Sequence, residues 1–154
     1  MKTFKHYITE IGDSSYPFKY EGSKINGKHH HYSIKHPTDE NKDINVVIRH
    51  EKGFDGGDKH SAEVSFTRKN NYNHSLVGDM STGESVRVFS TVHKIMRQHA
   101  ESNPSVSHFK FTSDKGMEPS RQSLYRKFTS KSGGSTDSDG DETFNNHIIP
   151  AKNL

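Results

Sequence analysis

Apolar residues gather between about residues 44 and 128, and within that stretch they keep two different periods. In INVVIRH, Ile44, Val46, Val47 and Ile48 read as a buried strand. AEVSFTRK alternates Ala62, Val64 and Phe66 against Glu63, Ser65 and Thr67, as a strand with one covered face does. From Glu84 the period lengthens to that of a helix. Val88, Phe89, Val92, Ile95, Met96 and His99 form one stripe, which Asn103-Pro104 ends because the residue before a proline is pushed out of the helical region. VSHFKF returns to a strand through Val106, Phe109 and Phe111, and Pro119 suits the first turn of a second helix that turns Leu124, Tyr125 and Phe128 inward. Upstream, SSYPFKYEGSKINGKHHHYSIKH reads as strand, turn and strand, with Asn26-Gly27 as the hairpin signal, since both residues tolerate positive φ. HPTDENKD, EKGFDGGDK and NNYNHSLVGDMSTGES are polar or glycine-rich connections.

This succession predicts an α+β fold, a mixed or antiparallel sheet with two packed helices, in a single domain over residues 11–130. After Phe128 the segment TSKSGGSTDSDGDETFNNH offers almost nothing to bury. Residues 131–154 are therefore predicted to be a flexible tail, with IIPAKNL folding back at most as a short edge strand. No internal repeat is present.

Composition narrows the function. Of 154 residues, 27% are apolar, so the core must be small; with no cysteine there can be no disulfide, thiolate zinc site or cysteine nucleophile. The net charge of +3 is spread over both signs, and the basic pairs Arg68-Lys69 and Arg126-Lys127 are too short to form a nucleic-acid-binding face. No run approaches the roughly 18 apolar residues of a membrane span. Twelve histidines would raise the charge quickly in acid.

The first residues, MKTFKHYITEIGD, place Phe4, Tyr7, Ile8 and Ile11 on one stripe of a short amphipathic helix, with Lys2 and Lys5 off it. Such a peptide is too short to be stable alone and becomes helical when its apolar face meets a partner. MKTFKHYITE resembles the capsid-targeting sequence of internal head proteins of T-even-type bacteriophages, which their prohead protease cuts after the glutamate of a Leu/Ile-x-Glu triplet. Ile8-Thr9-Glu10 matches that triplet. The resemblance implies a leader over residues 1–10 that docks through Phe4, Tyr7 and Ile8 and is processed at Ile8 and Glu10. The implied partners are capsid or scaffold proteins and the prohead protease, and the implied location is the capsid interior and then the host cytoplasm.

A second resemblance concerns residues 62–130. Their order of strand, glycine loop, helix, strand and helix is similar to the core of the GNAT superfamily of acetyl-CoA-dependent N-acyltransferases. In that family a Gln/Arg-x-x-Gly-x-Gly/Ala loop holds the coenzyme pyrophosphate on backbone N–H groups. The matching stretch is Met80-Ser81-Thr82-Gly83-Glu84-Ser85, so Ser81, Thr82, Gly83 and Ser85 are the implied cofactor-binding residues. EPSRQSLY keeps the Leu-Tyr of the later helix, which implies Tyr125 as the acid that protonates the departing thiolate, in a slot where the strands flanking the longer helix splay apart. Met80, Glu84, Glu118 and Arg121 depart from the family pattern and imply a degenerate version of the site. The ordinary role of an aromatic at helical spacing beside Leu124 and Phe128 is core packing.

Other signals are weaker. His29 and His31 share one face of a strand and could hold zinc if His36 or His50 came near; a solvated, histidine-rich strand is the preferred reading, and no metal is expected. DSDGDE fails the calcium-loop spacing, because Glu142 falls at the sixth position, where glycine is required. There is no Gly-x-Ser-x-Gly and no Walker loop. Three functions therefore stand side by side: a virion-associated protein with a GNAT-like body, an acetyl-CoA-dependent acyltransferase, and a host-directed protein that binds through exposed Tyr16, Phe18 and Tyr20.

Overall fold

A computed structural model of the chain describes residues 15–52, 60–68, 82–114, 119–138 and 143–154. The leader residues Phe4, Tyr7, Ile8 and Glu10, and Ser81 of the glycine stretch, lie outside the described residues. The hairpin forms where Asn26-Gly27 predicts it: Ile25, Asn26 and Gly27 take φ of 55°, 54° and 77° between β1 (Phe18–Lys24) and β2 (His29–Ile34). β3 (Ile44–Lys52) and β4 (His60–Arg68) continue the antiparallel meander. Helix α1 (Thr82–Ser102) begins two residues before Glu84, where the helical period is read to start, and β5 (Val106–Asp114) follows it. α2 starts at Pro119 and runs to Lys131; β6 (Ser135–Asp137) and β7 (Phe144–Pro150) complete the described elements.

Among the described residues these strands form one seven-stranded sheet in the order β1-β2-β3-β4-β5-β7-β6. Every pairing is antiparallel except β4 with β5, which the crossover through α1 makes parallel. The α+β class and the mixed sheet with two helices are thus as expected. Period-two alternation gives the sheet two unlike faces. Ile44, Val46, Ile48, Ala62, Val64, Phe66, Phe109 and Phe111 are buried on one of them, against the α1 stripe Val88, Phe89, Val92, Ile95 and Met96 and against Tyr125 and Phe128 of α2. The other face carries charge: Arg49 meets Glu63 at 2.6 Å and Lys110 meets Glu51 at 2.6 Å.

Two expectations are corrected. The flexible tail over 131–154 is replaced, in its described part, by sheet: β7 pairs with β5 over seven residue pairs and lies inside the sheet, with β6 beyond it. The buried face of β7 is Asn145, His147 and Ile149, two polar residues for one apolar, so hydrophobic periodicity had little to register. Nor is Tyr16 an exposed aromatic. It is buried, its N–H donates to Thr91 Oγ1 at 2.9 Å, and the Arg87 guanidinium sits 4.0 Å above its ring. Phe18 is half-buried against the core, which leaves Tyr20 as the exposed member of that trio.

Candidate functional site

The parallel ladder between β4 and β5 joins His60–Glu63 to Val106–Lys110 and stops there, although β4 runs on to Arg68 and β5 to Asp114. The two strands part beyond Glu63. Tyr125 spans the divergence: its ring stacks 6.3 Å from Phe66 of β4, lies 5.9 Å from Phe111 of β5 and stands edge-on at 4.9 Å to Phe89 of α1. It is only 5% exposed, so it packs as a core side chain at the place where the resemblance puts a thiol. His147 stacks on the same layer, 4.8 Å from Phe111 and 5.7 Å from Tyr125. Hydroxyls hold both its ring nitrogens: Nε2 with Ser113 Oγ at 2.7 Å, and Nδ1 with Thr136 Oγ1 at 2.9 Å and Thr129 Oγ1 at 3.2 Å. Burial, with the nearby Arg126 charge, pushes this imidazole down to about 4, so it is neutral at physiological pH.

Thr82, Gly83 and Ser85 belong to the first turn of α1, where backbone N–H groups lack intrahelical acceptors. Gly83 is exposed with open space around it, Ser85 is buried, and Glu84 puts a carboxylate in the same turn. A groove of about 560 Å³ lies at the other end of α1, between Arg97, Glu101, Pro104, Ser107 and Lys152, and Arg97 pairs there with Glu101 at 3.8 Å.

The other end of β4 carries a different chemistry. His60, its first residue, meets His50 of β3 with Nε2 2.9 Å from Nδ1. His50 Nε2 in turn lies 2.6 Å from His99 Nε2 of α1, and His99 Nδ1 lies 2.9 Å from the Tyr32 hydroxyl of β2. The His30 ring packs 4.8 Å from His50 and 4.7 Å from His99, with its Nδ1 3.0 Å from the Tyr20 hydroxyl. One ligand nitrogen each from His30, His50 and His99 fit within 4.8 Å of one another. Burial pushes His99 down to about 3 and His50 down to about 4, and the neighbouring histidine charges add to both shifts. His30 is lowered by burial as well, although the Gly27 backbone opposes the shift. Tyr32 is pushed up to about 12 by burial and by Tyr20. At neutral pH His30, His50 and His99 are uncharged imidazoles with lone pairs to offer.

The sequence reading paired His29 with His31, whereas the residue that joins the cluster is His30. His36 is elsewhere, beside Tyr16 at 5.9 Å, with its Nδ1 accepting from the Asp39 N–H at 3.1 Å. The signal that finds the cluster is parity. His30 is in phase with Tyr32 and Ile34, His50 with Ile44, Val46 and Ile48, and His60 with Ala62, Val64 and Phe66, while His99 ends the α1 stripe. Each of the four falls on the covered face of its own element.

No protein-family model matches the chain, and no curated protein is similar to it. Among solved structures, the chain is similar to a "putative acetyltransferase" from Sphaerobacter thermophilus DSM 20745, with 10% identity, a TM-score of 0.44, and 96% of this chain and 87% of that chain covered. The fold described above rests on the chain's own strand order, pairing and helix positions.

Proposed function

We propose that the chain is a bacteriophage virion-associated protein, carried into the capsid by its N-terminal decapeptide and freed by cleavage after Glu10, with a GNAT-like body whose acyltransferase site is degenerate. The observation that carries this reading is MKTFKHYITE itself: a basic, amphipathic address closed by Ile8-Thr9-Glu10. The start of the body supports it. Tyr16 is buried and bonded to Thr91, and Ser15 Oγ accepts from Lys94 Nζ at 2.8 Å, so a cut after Glu10 would leave these anchors in place. The degenerate site is supported by the tight packing of Tyr125 and by the Glu84 carboxylate at the start of α1, where a phosphate would be repelled. The test is mass spectrometry of T-even-type virions grown in cells that express the chain. Particles should contain it, beginning at Ile11. Its absence from particles overturns the reading, and its presence with Met1 retained overturns the processing step alone.

One observation favours an acyl-coenzyme A function instead, namely the parting of β4 and β5 beyond Glu63 with Tyr125 across the gap. There Tyr125 would serve as general acid, and Thr82, Gly83 and Ser85 would face the pyrophosphate. Calorimetry with acetyl-CoA decides it. Binding that supports acyl transfer to an amine, lost in Tyr125→Phe, would establish the enzyme, and no heat at millimolar ligand would remove it.

A further inference from the structure

We propose that His30, His50 and His99 form a binding site for one late first-row divalent cation, zinc above all, held through the three Nε2 atoms with the fourth position left to water. The argument is which nitrogen of each ring is already engaged. His30 Nδ1 is with the Tyr20 hydroxyl, His50 Nδ1 with His60 Nε2, and His99 Nδ1 with the Tyr32 hydroxyl. His50 and His99 turn Nε2 to the shared space, and His30 brings one ring nitrogen within 4.8 Å of theirs. An imidazole that ligates a metal through one nitrogen is oriented by a partner on the other, and three such second partners are in place here.

The spacing fits the ion. Zinc–nitrogen bonds of ~2.0–2.1 Å in a tetrahedral site put the nitrogens roughly 3.3 Å apart. The His50 to His99 separation of 2.6 Å and the 4.8 Å limit for the whole set bracket that value, so the ion seats by small ring rotations. The ligand type also agrees, since neutral imidazole suits zinc, copper and nickel and discriminates against magnesium and calcium. Access is open, because His30 and His50 are half-exposed while His99 forms the buried floor. The burial that keeps these rings uncharged removes proton competition for their lone pairs at neutral pH. The inference is independent of the coenzyme reading, because the cluster sits at the start of β4 and Tyr125 packs near its end.

The test is titration of the metal-stripped full chain with zinc chloride by calorimetry, repeated with cobalt(II) for its tetrahedral absorption bands. We expect one ion per chain with micromolar or tighter affinity. His30→Gln and His50→Gln should each weaken it at least tenfold, and His31→Gln, on the opposite face of β2, should leave it unchanged. Circular dichroism checks that each variant is folded. Should His50→Gln fail to fold, ring-nitrogen NMR of the native chain decides: zinc should shift Nε2 of His30, His50 and His99 and leave His29 and His31 in place. The proposal is overturned by no binding at 100 micromolar metal, by binding that survives the His30 change, or by zinc-induced shifts confined to other histidines.

Discussion

His147 makes the stability of this fold depend on pH in a way that can be worked out beforehand. Its ring is fully buried between Phe111 and Tyr125, held by three hydroxyls, with Arg126 as the nearby charge. In the folded chain it titrates near 4, against an ordinary value of 6.5. Above pH 6.5 neither state carries the proton and the residue adds no pH dependence. Between 6.5 and 4 the unfolded chain takes up a proton that the folded chain refuses, so stability falls as the pH falls. Below 4 both states are protonated and the loss is complete. At ~1.4 kcal/mol per pKa unit the total is about 3 kcal/mol, a large part of the ~5–15 kcal/mol that holds a domain together. His50 and His99 are depressed too and titrate in an overlapping window, so wild type alone cannot isolate the effect. The informative quantity is the difference between wild type and His147→Gln in urea unfolding at several pH values. That difference should shift against wild type by about 3 kcal/mol between pH 7 and pH 4. A difference that stays constant over this range, or an NMR titration of the His147 ring centred near 6.5, would refute the reasoning.

Four further outcomes are expected. A chain ended after Lys131 should lose its cooperative thermal transition by circular dichroism, because β7 lies between β5 and β6 and its Ile149 is fully buried; a flexible tail would be dispensable. Gly134→Ala should destabilise the fold by ~1–3 kcal/mol in urea unfolding, since the added Cβ would meet the Ile148 carbonyl oxygen and Ile149 Cγ1. Gly83→Ala, with open space around it in a helix, should be neutral or stabilising by up to ~1 kcal/mol. Phe89→Ala should cost ~3–5 kcal/mol, because it empties the centre of a layer in which Phe66, Tyr125 and Phe128 all contact that ring.

What could be read from the sequence follows from how each element is built. β3, β4 and α1 bury mostly hydrocarbon, so their periods show the face they cover, and Asn26-Gly27 marks the hairpin by local chemistry alone. β7 is legible only at its end, where the short edge strand expected of IIPAKNL overlaps Ile148, Ile149 and Pro150. Asn145 and His147 can be buried only because other elements bring them partners, and for His147 these come from Ser113 in β5, Thr129 in α2 and Thr136 in β6. No local pattern encodes a partner that arrives from elsewhere in the chain. The early start of α1 has a simpler cause: Thr82 and Gly83 extend the first turn without adding an apolar residue to the stripe.

The histidine cluster was half-legible for a related reason. The phase of each histidine is local information, and all four share phase with buried residues. Their convergence is tertiary, because it depends on the register that sets His30 opposite Ile48 and His50 opposite Ala62, and on the rotation of α1 that brings His99 above them. The composition bears on the same point. A chain with 27% apolar residues closes its core partly with imidazoles, as the full burial of His99 and His147 shows. A neutral imidazole fills space much as a small aromatic ring does, but it must hydrogen-bond on both sides. At His147 hydroxyls meet that demand on both nitrogens. At His50 and His99 the two Nε2 atoms face each other, an arrangement that a single shared proton can satisfy and that a metal ion, with His30 as third donor, satisfies for all three rings at once.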